Sequence, residues 1–325
     1  MRLISKNERS RVLHNASSRK RGVTLIELLV AVGVTALLVS LMLGIVVNIT
    51  NGWNRSSGSL ESGNQARLVL DQITSDLQSA ILKRDTNVWM VATVQTSNPG
   101  GWTGGGQNTF SIPSGAQPKL EDYRFGSHGV WFRFFSTVPG TNVANDLTTL
   151  SAPRAVAYQI MRLPVVAGSS EIKYQMFRSE VLPNLTFTTG YNLLAPEYNT
   201  TGSSANNAPL SIRAPDRTNV IANNVVDFGV RIYEGSTLKF PVGSSPQPYA
   251  ATTSPQPGYV TGFPDSVEVF VRILSAEGAQ QLSLLENPPD GYTPPEPLTP
   301  AKWWEIVNAN SRVYTRRVDL KAKSL

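Results

Sequence analysis

An uncharged, almost wholly apolar run constrains this chain more than any other feature. No charged residue occurs from Leu28 to Asn54, and nearly every residue of Leu28–Ile49 is apolar. About 20 apolar residues in a helix span the hydrocarbon core of a bilayer. The sequence therefore predicts a single transmembrane helix near the N-terminus, over residues 23–50.

Basic residues are concentrated on the N-terminal side of this run. Residues 1–22 hold seven basic residues and one acidic residue, which accounts for the whole net charge of +6 of the 325-residue chain. The positive-inside rule predicts that this segment is cytoplasmic and that the C-terminal bulk of the chain lies outside the cytoplasm. Because the remainder is neutral overall, we expect no nucleic acid among its partners.

Two general interpretations of the N-terminal segment leave something unexplained. A secretory signal peptide has an apolar region of roughly 7–15 residues and a small-residue cleavage site. The run here is longer, and no such site follows in residues 51–62. A plain signal anchor leaves Glu27 unexplained, because a carboxylate beside an apolar span is costly and such residues are often functional.

A third interpretation accounts for Glu27. Residues 20–31, KRGVTLIELLVA, resemble the class III leader junction of prepilins. The resemblance implies that a membrane aspartyl peptidase cuts between Gly22 and Val23, removes residues 1–22 and methylates the new amine of Val23, where the family most often has Phe. It also implies that Glu27 pairs with the N-terminal amine of a neighbouring subunit during filament assembly. The leader residues that would hold the junction at the cytoplasmic face are Arg19, Lys20 and Arg21.

A helical period continues beyond the apolar run. Apolar residues at three- and four-residue steps predict one stripe of an amphipathic helix over residues 60–82, within a long helix over 23–82. The stripe consists of Ala66, Leu70, Ile73, Leu77, Ala80 and Ile81, with Asp76 assigned to the polar faces. Residues 51–58 contain Asn-Gly and Ser-Gly pairs, which predict a break between the two halves.

The amphipathic stretch carries a second resemblance. Residues 65–80, QARLVLDQITSDLQSA, are similar to part of the J-type minor pseudopilins of type II secretion and of the W-type minor pilins of type IV pili. The residues that carry the match are Arg67, Leu70, Asp76, Leu77 and Ala80. The chain is longer than a typical J-type protein, and its size is nearer the W-type pilins and the prepilin-leader cassette proteins of Verrucomicrobia-like bacteria.

From about residue 84 the period changes from 3.6 to 2. Alternating apolar residues predict half-buried antiparallel strands, among them 155–163 and 172–181 joined as a hairpin. The expected fold class is α+β, with a long N-terminal helix of type IV pilin-like form packed on a β-rich head, residues 83–325. Residues 287–300, NPPDGYTPPEPLTP, predict a stiff surface loop. Trp303 and Trp304 are expected to cover a sheet edge or the helix.

The chain offers few groups for catalysis or metal binding. It has no cysteine, only His14 and His128, and none of the common hydrolase motifs. Four loop aspartates lack the dense spacing of a strong calcium site, namely Asp122, Asp146, Asp216 and Asp290. We therefore expect a protein that is not an enzyme and that carries no cofactor, and we assign no metal site.

These observations lead to one main interpretation and one alternative. The main one is a minor pseudopilin or pilin-like subunit, processed after Gly22 and held in the inner membrane by residues 23–50, with its head in the periplasm. Its partners would be prepilin peptidase and other pilin or pseudopilin subunits. The alternative is an uncleaved, single-pass envelope protein with a binding head. A tethered hydrolase has little support from the residues.

Overall fold

The computed structural model describes residues 24–95, 125, 129–137, 153–165, 172–199, 212, 215, 217–243, 246–286, 288, 291–294, 296 and 298–320. The chain divides into two units, residues 1–55 and 56–325. Each unit is described by itself below.

The first unit contains the start of helix α1, which has bounds Leu25–Gln78. From Leu25 to Thr50 its side chains are exposed. Residues 51–58 are α-helical, so the predicted break at the two glycine-containing pairs is wrong. A glycine costs about 1 kcal/mol relative to alanine in a helix, and such a propensity is a weak preference that the rest of the helix can override.

In the second unit, the end of α1 is buried along the predicted stripe. Five of its residues form part of the main core, namely Ala66, Val69, Leu70, Ile73 and Leu77. Leu68 remains exposed. The helix ends at Gln78, whereas the sequence pattern predicts helix to residue 82. The reason is that Ala80 forms an isolated bridge with Ser136, and the amide of Ile81 donates to the carbonyl of Phe135.

A seven-stranded sheet forms the larger part of the head. Its strands are β1 Met90–Val94, β2 Val130–Ser136, β3 Arg154–Pro164, β4 Ile172–Glu180, β5 Val220–Asn223, β8 Tyr249–Ala251 and β9 Val260–Gly262. Their order across the sheet is β5-β4-β3-β2-β1-β8-β9. All pairs are antiparallel except β8 with β9. The pairing of β3 with β4 confirms the predicted hairpin.

A four-stranded antiparallel sheet completes the head. Its strands are β6 Val225–Glu234, β7 Thr237–Phe240, β10 Ser266–Leu274 and β11 Ser311–Asp319, in the order β11-β10-β6-β7. The helices after α1 are α2 Pro183–Thr189, α3 Pro196–Asn199, α4 Ala276–Glu286 and α5 Pro300–Asn310, with a 3-10 turn at Arg217–Asn219. The fold is α+β, with a long N-terminal helix and a β-rich head of antiparallel sheets.

The centre of the larger sheet is buried on both faces. All seven residues of β2 are buried, so the prediction of a half-buried strand is wrong there. On one face Phe134 stacks against Tyr158, with ring centroids 6.2 Å apart. On the other, Phe135 makes edge contacts with the rings of Tyr191 and Tyr198. A strand covered on both sides has no polar face, so it differs from the alternating pattern of a strand with one wet face.

Candidate functional site

The start of α1 is built as a reciprocal cap. The Thr24 amide and hydroxyl both donate to Glu27 Oε2, at 2.9 and 3.0 Å. The Glu27 amide donates to Thr24 Oγ1 at 3.3 Å. This is the capping box, in which the residue before the helix and the third helical residue satisfy each other's free amides. The carboxylate of Glu27 therefore has a local partner in its own chain.

The remaining residues of the predicted processing site lie outside the described residues. They are Arg19, Lys20, Arg21, Gly22 and Val23. Among the described residues, one helix span is long and apolar enough to cross a membrane by length and composition, Leu25–Thr50. Glu27 is the one charged residue within that span.

A buried ion cluster joins the end of α1 to the larger sheet. Arg178 of β4 donates from Nε to Asp76 Oδ2 at 2.7 Å and from Nη2 to Asp76 Oδ1 at 3.2 Å. The Tyr158 hydroxyl donates to the same carboxylate. Arg178 also pairs with Glu180, which in turn contacts Arg154 at 3.3 Å. We call these five residues the Asp76 cluster.

Asp76 corrects an expectation from the helical pattern. The periodicity assigns it to the polar faces of the helix, yet its side chain is completely buried. It is buried because α1 packs its last turns on β3 and β4, where a bidentate arginine compensates the charge. The sequence contains Asp76 and Arg178 but holds no local signal that they meet, since their contact spans about a hundred residues.

Two members of the Asp76 cluster, Tyr158 and Arg178, have shifted pKa values. Burial raises the pKa of Tyr158 well above its ordinary value, and the negative charge of Asp76 adds to this. Burial acts to lower the pKa of Arg178, but the hydrogen bonds and charges of its partners, with Asp76 first among them, together raise the pKa overall. Tyr158 is therefore a neutral donor and Arg178 a permanent cation.

A second buried cluster surrounds Glu286 at the end of α4. Arg162 Nε lies 2.8 Å from Glu286 Oε2. The Tyr174 hydroxyl and Trp303 Nε1 both donate to Oε1, at 2.6 and 2.8 Å. Burial raises the pKa of Glu286 in spite of the charge of Arg162. Trp303 thus lies in the core of the head, and it fixes α5 to α4 and β4.

Helix α5 begins inside the stretch predicted to be a loop. Pro300 is its first residue, and the Thr299 side chain accepts a hydrogen bond from the Lys302 amide at 3.2 Å. A capping threonine followed by proline is a recognised start signal for a helix. That signal could have identified α5 in the sequence.

The described residues contain no group of three or more His, Cys, Asp or Glu side chains that could hold a metal ion. His128 and the loop aspartates Asp122, Asp146, Asp216 and Asp290 lie outside the described residues. The buried carboxylates of Asp76 and Glu286 are paired with Arg178 and Arg162, respectively, within the head. Their arrangement suits them to hold elements of the fold together.

Comparison with known proteins identifies the N-terminal segment. Residues 17–43 match the family model described as the prokaryotic N-terminal methylation motif. The match includes Gly22, Val23 and Glu27 and leaves the head unassigned. No curated protein matches the chain.

Among solved structures, the type IV-like pilin TTHA1219 from Thermus thermophilus is similar to this chain. The two chains are 11% identical, the TM-score is 0.32, and the alignment covers 79% of this chain and 95% of that pilin. This is a low similarity.

Proposed function

We propose that this chain is a structural subunit of a pilin-like or pseudopilin-like filament, anchored in the inner membrane before assembly. The observation that carries the proposal is the methylation motif at residues 17–43, which overlaps the exposed apolar helix span Leu25–Thr50. Prepilin peptidase would cut after Gly22 and methylate Val23. The head would lie in the periplasm, beside other subunits of a type II secretion or type IV pilus-like machine, as a J-type or W-type minor component.

The N-terminal mass of the protein from native membranes tests processing directly. We expect a first peptide that starts at Val23 and carries one extra methyl group. A protein that still contains the leader would contradict the proposal. A Gly22→Ala variant supplies the control, because it should retain the leader in the same membranes.

Glu27 has two separable roles in this proposal. In assembly, its negative charge would pair with the amine of Val23 in a neighbouring subunit. In the isolated chain, its oxygen caps the helix through Thr24. Glutamine keeps a capping oxygen and removes the charge, whereas alanine removes both.

Filament incorporation of two Glu27 variants therefore separates these roles. We expect both Glu27→Gln and Glu27→Ala to insert in the membrane and to fail in cross-linking into filaments. Glu61→Ala, which changes another exposed glutamate of α1, is the matched control and should assemble normally. Normal assembly of Glu27→Gln would show that the cap is the sole role of Glu27.

The capping box also favours the alternative of an uncleaved anchor with a binding head. A helix-capping glutamate needs no neighbouring subunit to account for it. For this alternative we expect an intact leader in native membranes and normal function of both Glu27 variants. The mass measurement and the assembly experiment thus distinguish the two functions.

A further inference from the structure

One tryptophan of this chain differs from the others in its surroundings. Trp53 lies on α1, in the first of the two units, and its side chain is 75% exposed. The other tryptophans that the structure describes are buried in the head, namely Trp89, Trp131, Trp303 and Trp304. Exposure alone does not identify what Trp53 contacts, because single exposed apolar residues are common on protein surfaces. Its place along the helix supplies the missing information.

Trp53 follows closely after the apolar span. That span ends at Thr50. Residues 51–54, NGWN, are polar or small apart from Trp53 and carry no charge, and Arg55 is the first charged residue after Glu27. The sequence thus changes from apolar to polar and then to charged. A helix that leaves a bilayer passes through the hydrocarbon core, the headgroup region and water in the same order. Trp53 belongs to the middle part of this series.

The helical distance between Glu27 and Trp53 matches the thickness of a bilayer with its headgroups. Both residues lie in the continuous helix Leu25–Gln78. The rise from residue 27 to residue 53 is about 39 Å at about 1.5 Å per residue, and an average tilt of about 20° shortens it to about 37 Å. A hydrocarbon core is about 30 Å thick, and a bilayer with both headgroup regions about 40–45 Å. A helix with Glu27 in one headgroup region therefore has Trp53 in the other.

An indole side chain suits the headgroup region better than either neighbouring environment. Its ring is apolar, and its Nε1–H donates one hydrogen bond. In the hydrocarbon core this donor would have no acceptor, which is costly, and in water the ring would stay hydrated. At the level of the headgroups the ring can contact acyl chains while ester or phosphate oxygens accept from Nε1–H. Tryptophan is enriched at membrane–water interfaces for this reason.

We propose that Trp53 binds phospholipid in the headgroup region of the leaflet opposite the one that holds Glu27. The ring lies against the first methylene groups of the acyl chains, and Nε1–H donates to a glycerol ester or phosphate oxygen. Glu27 and Trp53 then mark the two surfaces of the bilayer in the chain before assembly. The inference rests on the membrane anchor proposed above and adds a lipid contact to it.

Depth-dependent quenching of tryptophan fluorescence measures the position of Trp53. The full chain is reconstituted in phosphatidylcholine vesicles whose acyl chains carry bromine either near the headgroup or near the chain end. The signal of Trp53 is the difference between the wild type and Trp53→Phe, since every other tryptophan is common to both. We expect the shallow bromine to quench this signal at least about twofold more strongly than the deep bromine, because the indole lies outside the hydrocarbon core.

A matched variant calibrates the depth scale. Leu41 is also an exposed residue of α1, with 59% of its side chain exposed. It lies about 18 Å from Trp53 along the helix, close to the midpoint between Glu27 and Trp53. In the Trp53→Phe background, Leu41→Trp should show the reverse order, with the deep bromine quenching more strongly. This result depends on the membrane anchor and not on Trp53.

The outcomes separate the inference from the anchor. A deep profile for Leu41→Trp, combined with a Trp53 signal that neither bromine quenches or that the deep bromine quenches more, overturns the inference and leaves the anchor intact. No quenching of Leu41→Trp by either bromine shows that the span is not in the bilayer, and both proposals then fail. Quenching of Trp53 that decreases as more chains are added per vesicle shows that a second copy covers the indole, which also contradicts the lipid contact.

Discussion

The two halves of α1 share one helix but differ in what surrounds their side chains. From Leu25 to Thr50 the side chains are apolar and exposed, and the sole charge, Glu27, is paired with Thr24 one turn away. In Ser56–Gln78 the apolar stripe is buried, and Asp76 is paired with Arg178 of a distant strand. The first half of the helix therefore keeps apolar side chains that a membrane or neighbouring subunits could contact. The second half uses its apolar side chains to pack in the core of the head.

Loss of Asp76 should have the largest effect on the head. Asp76→Ala leaves the buried guanidinium of Arg178 without its bidentate carboxylate, which costs about 3–5 kcal/mol of unfolding free energy. Urea unfolding of the full chain in micelles, followed by tryptophan fluorescence, measures this. Asp71→Ala is the control, since that carboxylate is exposed, and its loss should be far smaller. If the two variants lost the same unfolding free energy, the pairing of Asp76 in the core would contribute no more than the exposed pairing of Asp71.

A second variant tests whether the loss of stability in Asp76→Ala comes from leaving Arg178 without its partner charge. Asp76→Leu combined with Arg178→Met replaces both charges by apolar groups of similar size. Such replacements of buried ion pairs are often neutral or stabilising, so we expect the double variant to regain most of the loss caused by Asp76→Ala. A double variant as unstable as Asp76→Ala would mean that the other members, such as Tyr158, depend on the charge.

The apolar stripe should give the next largest effect. Ile73 is completely buried, whereas Leu68 is 59% exposed. Ile73→Ala should cost about 2–5 kcal/mol, because it removes buried surface and leaves a cavity. Leu68→Ala should change the unfolding free energy by less than about 0.5 kcal/mol. Equal losses in the same urea titration would contradict the assignment of the buried face.

The cap at the start of α1 should affect its first half alone. Thr24→Ala removes the capping hydroxyl, at a cost of about 1 kcal/mol to the helix start. Amide hydrogen exchange at residues 25–28 in micelles should become faster, while the urea midpoint of the head stays unchanged. Thr24→Ser keeps the hydroxyl and should exchange as the wild type does. A shifted midpoint in Thr24→Ala would show that the cap also supports the head.

The smallest effect concerns the exposed pair of Asp71 and Arg316. The hydrogen bond from Arg316 lowers the pKa of Asp71, so the folded chain binds fewer protons than the unfolded chain below about pH 4. The stabilisation is present above that pH and is lost as the pH falls through the lowered pKa. Arg316→Gln should therefore weaken the acid dependence of the unfolding midpoint below about pH 4. An unchanged acid dependence would contradict the pairing.

Local periodicity in the sequence predicts the helix, the β3–β4 hairpin and the α+β class, because these depend on neighbouring residues. It does not predict the burial of Asp76 or Glu286, since each carboxylate finds its arginine on a strand distant in sequence. Helix α4 does carry a local signal, because Ser275 precedes it and its hydroxyl accepts a hydrogen bond from the Gly278 amide at 3.1 Å. The strand pattern of Val130–Ser136 also does not reveal that both its faces are covered, because alternating large apolar residues suit either environment.

The strand order of the larger sheet affects when this sheet can form during synthesis of the chain. Strand β1 lies near the centre of the larger sheet, where its Val91 pairs with Ala250 of β8. One side of β1 therefore stays unpaired until residues far along the chain have been synthesised. Pairings between such distant segments form slowly, and open strand edges on incomplete intermediates are prone to aggregation. Under the proposed membrane anchoring by the first helix, this sheet would form at a fixed surface, where the chain would meet fewer copies of itself than in free solution.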